Sequence, residues 1–259
     1  MTTRAKTRLF GDKPTFRALL GTFVTFAVIT AGCGRESQAS TVFAASSMTD
    51  FVEDILLHFD ERGSVPRPQV NIAGSGTLLL QVDEGAQVDL VILAGRQHME
   101  QLLESGNFLP SRDFAVTSLA LIVAPRLANR GLSVDDLWSG SFQGAMCVLS
   151  APCGQLAMDF GQSFQLEMQG LSLEPNVRAV LAKVERGEVD FGLVYETDFR
   201  SSTSDVTKIV DSGTEEFSTT YSLAISKNPM NRSQVDTLVK KMTGELGRQT
   251  LSELGFKEP

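Results

Sequence analysis

Histidine, tyrosine and cysteine are scarce in this 259-residue chain, at two, two and three copies, and there is a single tryptophan. The scarcity limits the chemistry available. Both histidines, His58 and His98, fall in stretches of helical spacing, and no cluster has the spacing of zinc ligands. No glycine-rich loop ends in Lys-Ser or Lys-Thr, so the phosphate loop of nucleotide hydrolases is absent. Ser47, Ser75 or Cys153 as a nucleophile would have no histidine base nearby in sequence, which argues against an enzyme. Positive charge is also in deficit, with 23 Lys and Arg against 31 Asp and Glu. A net charge of −8 makes nucleic acid an improbable partner. No internal repeat, low-complexity segment or cofactor motif is present.

The basic residues that do occur are unevenly placed. Arg4, Lys6, Arg8, Lys13 and Arg17 precede an apolar run at 18–31, too short to span a bilayer and typical of a secretory signal. The run ends in Thr30-Ala31-Gly32-Cys33 before a polar stretch. These residues resemble a bacterial lipobox, although Leu is commoner where Thr30 stands. The resemblance implies a signal peptide at 1–32, a diacylglycerol on Cys33, a linker at 33–40 and a domain held on the outer face of the cell membrane. An ordinary secretory peptide or an N-terminal membrane anchor is the alternative, and each puts the domain outside the cytoplasm. The leader holds five basic residues and one acidic, so beyond residue 32 the totals become 18 basic and 30 acidic. The remaining 227 residues suffice for one large domain or two lobes of about 100 residues each.

Cys147 and Cys153 are the only other cysteines. In an exported protein a bridge between them, two neighbouring free thiols, or a reactive Cys153 are all compatible with the spacing.

Apolar patterning predicts alternating strands and helices. Strands are expected at 40–45, 69–73, 89–94, 118–124, 144–149, 190–194 and 219–226; helices at 48–62, 78–84, 96–105, 134–138, 154–169 and 176–186, with one or two over 233–254. Such alternation indicates an α/β sheet protein. Three strand-to-helix turns carry small polar residues, at Ser46-Ser47, at Gly74-Ser75-Gly76-Thr77 and at Ala151-Pro152-Cys153. Open α/β sheets bind ligands at such turns, where unpaired N–H groups and the positive ends of helices converge. Hydroxyls and N–H groups there can hold an ionised anion without Lys or Arg. Taken singly, each serine reads more readily as a helix N-cap, and Tyr195 as a core tyrosine with its hydroxyl satisfied internally. Arg178 and Arg186 read as helix-surface charges, and Asp89 as the end of a turn.

Six blocks in order resemble molybdate-binding proteins of bacterial ABC importers: 42–49 (VFAASSMT), 74–78 (GSGTL), 85–89 (GAQVD), 152–154 (PCG), 176–179 (NVRA) and 184–195, which begins VERGE and ends GLVY. They span most of the chain beyond the leader. The resemblance implies a two-lobed type II periplasmic-binding-protein fold with the ligand in the cleft. Lobe 1 would be 41–118 with 220–259, and lobe 2 would be 119–219. Carried over by position, Ser47 and Ser75 would donate from lobe 1; the N–H groups of Cys153 and Val177 and the hydroxyl of Tyr195 would donate from lobe 2. The metal would be held only as its oxyanion, molybdate or tungstate, and no cofactor would be needed. The implied protein is a monomer that delivers its cargo to an ABC-transporter permease. The same fold binding sulfate or another small anion is the alternative. The chain departs from the pattern at Cys153, where Ala is usual, at Leu93-Ala94-Gly95-Arg96, and at Thr117-Ser118.

Overall fold

The computed structural model describes residues 38–59, 66–139, 141–209 and 212–259. The proposed signal peptide, Cys33 and the first part of the linker lie outside the described residues. Ser37–Pro259 forms one compact unit.

The chain folds into two sheets that share one long strand. The first is built from β1 (Thr41–Ala45), β2 (Gln69–Ala73), β3 (Leu90–Ala94), β9 (Ser218–Ile225) and the front of β4 (Arg112–Val123), in the order β2-β1-β3-β9-β4. The second joins the rear of β4 to β7 (Phe191–Tyr195), β5 (Gly144–Cys147) and β6 (Ser172–Glu174), with the two-residue β8 (Thr207–Lys208) on the other side of β4. β4 changes partner between Ser118, which pairs with Ser218 of β9, and Leu119, which pairs with Tyr195 of β7. β1, β2 and β3 run parallel, as do β5, β6 and β7, so the ligand-type turns of each set leave from one sheet edge.

Both sheets are covered on both faces, which explains why their strands read as continuous apolar runs. Successive side chains go to opposite cores. Val42 and Ala44 face a core with α1 (Thr49–Leu57), α8 (Arg232–Thr243) and α9 (Glu245–Glu253), while Phe43 faces one with α2 (Ser75–Asp83) and α3 (Arg96–Glu104). In the second sheet Ala120 and Ile122 pack toward α6 (Val177–Glu185). Leu119, Leu121 and Val123 pack toward α4 (Val134–Trp138) and α5 (Pro152–Ser163).

The expected strands and helices are all present, with differences at their ends. β4 starts at Arg112 rather than 118, and the added residues Arg112 to Thr117 are held as strand by the ladder to β9. β6 and β8 are too short to give a pattern. α5 ends at Ser163 rather than 169, where Gln165 turns to a positive φ of 55° and Leu166 N–H closes onto Gly161 O. The C-terminal stretch is two helices divided at Gly244. A six-residue helix α7 (Glu196–Ser201) follows β7 directly.

The seat of α6 on β7 matters most for function, since α6 opens at Val177 and β7 closes at Tyr195. It depends on Gly192, where an added Cβ would stand 2.7 Å from Val184 Cγ2 and 2.8 Å from Val180 Cγ1. Gly192→Ala is therefore expected to overpack this layer and cost about 1–3 kcal/mol of stability, read as a lower denaturation midpoint at unchanged slope. An unchanged midpoint would show that α6 is not seated as described.

Candidate functional site

Ser47, Ser75, Cys153, Val177 and Tyr195, from five separate segments, line one small cavity. Its volume is about 10 Å³, near the room one water molecule needs and far below the roughly 300–1,000 Å³ of pockets for drug-sized organic molecules. The first sheet contributes Ser47, in a 3₁₀ turn at Ser46–Met48 after β1, and Ser75, the first residue of α2. The second sheet contributes Cys153 in the first turn of α5, Val177 at the start of α6, and Tyr195 at the end of β7.

Each helix start leaves backbone N–H groups without intrahelical partners. At α6 the Asn176 side chain accepts from Ala179 N–H at 3.0 Å, so the cap serves the third position and Val177 N–H at the first is free to serve the cavity. At α5 the bonds from Gly154 N–H and Gln155 N–H both end on Ala151 O, and Cys153 N–H lies between Pro152 and that pair. The structure joins Cys147 and Cys153 as a disulfide with Cα atoms 5.7 Å apart. As half of a disulfide, Cys153 offers its backbone N–H and no thiol.

Glycine lets the two sheets' turns meet. A Cβ on Gly74 would lie 2.7 Å from Pro175 O, and one on Gly76 would lie 2.7 Å from Ser150 O. The Gly-Ser-Gly sequence thus brings Ser75 against the loops of the second sheet. His98 adds a contact of the same kind, with Nε2 2.9 Å from Ser150 O. Its Nε2 therefore donates to a backbone carbonyl.

The hydroxyls are oriented by the protein. Ser47 Oγ accepts from Tyr221 Oη at 2.7 Å, and Ser75 Oγ accepts from Ala94 N–H at 3.0 Å. Tyr195 is 1% exposed, and the side chain that approaches its Oη within hydrogen-bonding reach is Thr219. Burial, with the charge of Asp198 beside it, pushes the Tyr195 hydroxyl above the ordinary tyrosine range, so it keeps its proton and remains a donor.

Arg178 corrects the sequence reading. Arg186 is exposed and pairs with Glu188, as a surface charge should, but Arg178 is half-buried. Its Nη2 lies 2.5 Å from Asp50 Oδ2 on α1, and its Nε lies 2.5 Å from Asp198 Oδ1 on α7. The cation beside the cavity is thus committed to two carboxylates and ties the two sheets together. Asp89 is likewise more than a turn end, since its buried carboxylate accepts from Thr41 N–H at 2.8 Å and Met230 N–H at 2.7 Å. Among the described residues, no group of three or more His, Cys, Asp or Glu could hold a metal ion directly. No described helix is long and apolar enough to cross a membrane.

The fold is the two-lobed architecture of periplasmic binding proteins, with the cavity between the sheets. The chain belongs to the family described as bacterial extracellular solute-binding protein, whose model matches residues 40–257. That family consists of solute-binding proteins rather than enzymes. It is 26% identical over 260 residues to the molybdate-binding protein ModA of Mycobacterium tuberculosis, covering 93% of this chain and 98% of that one. It is 28% identical over 250 residues to the ModA of Haemophilus influenzae, covering 91% and 97%. The periplasmic molybdate-binding protein of Azotobacter vinelandii superposes with a TM-score of 0.74 at 14% identity, covering 85% of this chain and 99% of that one.

Asp198 gives the site a measurable signature. Burial, opposed by Arg178, pushes its carboxyl up to about 6 from an ordinary 3.8. Between about pH 4 and pH 6 the folded protein holds a proton that the unfolded chain has released, so this group's contribution to stability falls as pH rises. The stability of the native protein relative to Asp198→Asn is expected to decline from about pH 4 to about pH 7 in denaturant titrations. A relative rise over that range would contradict the assignment.

Proposed function

We propose that this chain captures molybdate or tungstate outside the cytoplasm and delivers it to the permease of an ABC importer. The observation that carries the reading is the convergence of neutral donors from both sheets on one small cavity, among them the buried Tyr195 hydroxyl. Ser47, Ser75 and Tyr195 supply hydroxyls, and Cys153 and Val177 supply N–H groups. A dianion here receives dipoles in place of water, while the Arg178 cation stays committed to Asp50 and Asp198. The names of the curated relatives support molybdate as the cargo.

In this proposal lobe 1 is 41–118 with 220–259, lobe 2 is 119–219, and no cofactor takes part. Because the donors are divided between the lobes, the anion makes its full set of bonds only in the closed form. It shifts the population toward closure by that difference in affinity. The permease reads closure, and a lipid on Cys33 holds the monomer at the membrane surface. The disulfide keeps the Cys153 turn rigid, so that the donor is in place before the anion arrives.

Calorimetric titration of the leader-free domain tests the reading. Molybdate and tungstate are expected to bind tightly, and Ser47→Ala and Tyr195→Phe are each expected to weaken them about tenfold, the worth of one hydrogen bond to a charged ligand. Tight binding of sulfate instead would move the cargo while leaving the site intact. No binding by any of the three would overturn the reading.

A further inference from the structure

The two serines of the cavity are oriented by a single cross-strand pair. Ala94, the last residue of β3, is the registered partner of Tyr221 on β9. From that one rung, Ala94 N–H reaches Ser75 Oγ at 3.0 Å and Tyr221 Oη reaches Ser47 Oγ at 2.7 Å. Tyr221 is fully buried, its ring packs edge-on against Tyr195 with centroids 6.4 Å apart, and Ser47 is its hydroxyl's acceptor. Burial holds that hydroxyl well above the ordinary tyrosine range, so the proton stays on Tyr221.

A serine hydroxyl has one proton and two lone pairs. When Tyr221 occupies one lone pair, Ser47 is polarised as a donor. Were Ser47 also to accept from a ligand O–H, its own proton would have to turn away and be buried without an acceptor. The same holds for Ser75 beneath Ala94 N–H. We infer that Tyr221 is a specificity-determining positioning residue, which donates to Ser47 Oγ and thereby makes Ser47 a one-way donor that favours unprotonated oxyanions over protonated ones. The inference rests on the oxyanion reading above and extends it to a residue that does not line the cavity.

Tungstate and hydrogen phosphate, titrated into wild type, Tyr221→Phe, Ser47→Ala and the double variant, separate this role from a structural one. In Tyr221→Phe no phenol claims a lone pair of Ser47, so the Ser47 hydroxyl is no longer held and polarised with its proton toward the cavity. Tungstate affinity is expected to fall about tenfold, hydrogen phosphate affinity to fall less, and the preference between them to narrow. The double variant is expected to bind tungstate no more weakly than Ser47→Ala alone, because Tyr221 acts through Ser47. Equal losses for both anions, or additive losses in the double variant, would overturn the inference while leaving the oxyanion reading in place. A wild type that binds neither anion would overturn both. Should Tyr221→Phe fail to fold, proton NMR of the wild type decides the matter. A slowly exchanging Tyr221 hydroxyl proton close in space to the Ser47 β-protons supports the inference, and a rapidly exchanging one overturns it.

Discussion

An anion withdrawn from water loses its hydration, and a protein without a free cation at the site can compensate only with aligned hydrogen-bond donors. In the proposed function that constraint accounts for the architecture. Donors of the required kind arise where a parallel strand ends and a helix begins, so the site needs several such junctions aimed at one point. No single sheet edge surrounds a point. Two sheets sharing β4 do, with Ser47 and Ser75 on one side and Cys153, Val177 and Tyr195 on the other.

Closing such a cleft requires the two sides to touch without crowding the ligand, and the sequence meets that need in two ways. Gly74 and Gly76 remove the Cβ atoms that would strike Pro175 O and Ser150 O. Arg178 spans from Asp198 on α7 to Asp50 on α1, three positions beyond Ser47. Two carboxylates around one guanidinium leave that corner with net negative charge. The balance favours a site that relies on short-range dipoles over one that relies on long-range attraction, consistent with the acidic composition of the chain and with screening beyond about 8 Å.

Much of this was legible in the sequence because it is local. A short strand followed by Ser-Ser-Met-Thr, Gly-Ser-Gly-Thr or Pro-Cys-Gly announces its junction within a few residues, and Ser47, Ser75 and Cys153 at those junctions line one cavity with Val177 and Tyr195, which only the family resemblance supplied. What was not legible is long-range. The partners of Arg178 lie 128 and 20 positions away, and nothing in Asn-Val-Arg-Ala distinguishes a half-buried arginine from an exposed one. Tyr221 stands in a polar strand, Thr219-Thr220-Tyr221-Ser222, with no local mark that its hydroxyl would meet a serine 174 positions earlier. The front of β4 was missed for a similar reason, since its apolar run Phe114-Ala115-Val116 is short and the pairing that makes it a strand is with the distant β9.

The central claim is that a tetrahedral oxyanion is held between the sheets by neutral donors alone. A crystal structure of the protein grown with tungstate, phased at the tungsten absorption edge, tests it directly. The account predicts one strong anomalous peak within hydrogen-bonding reach of Ser47, Ser75, Cys153, Val177 and Tyr195, with no lysine or arginine side chain in contact with the ion. A peak elsewhere, or one in contact with the Arg178 guanidinium, would contradict it.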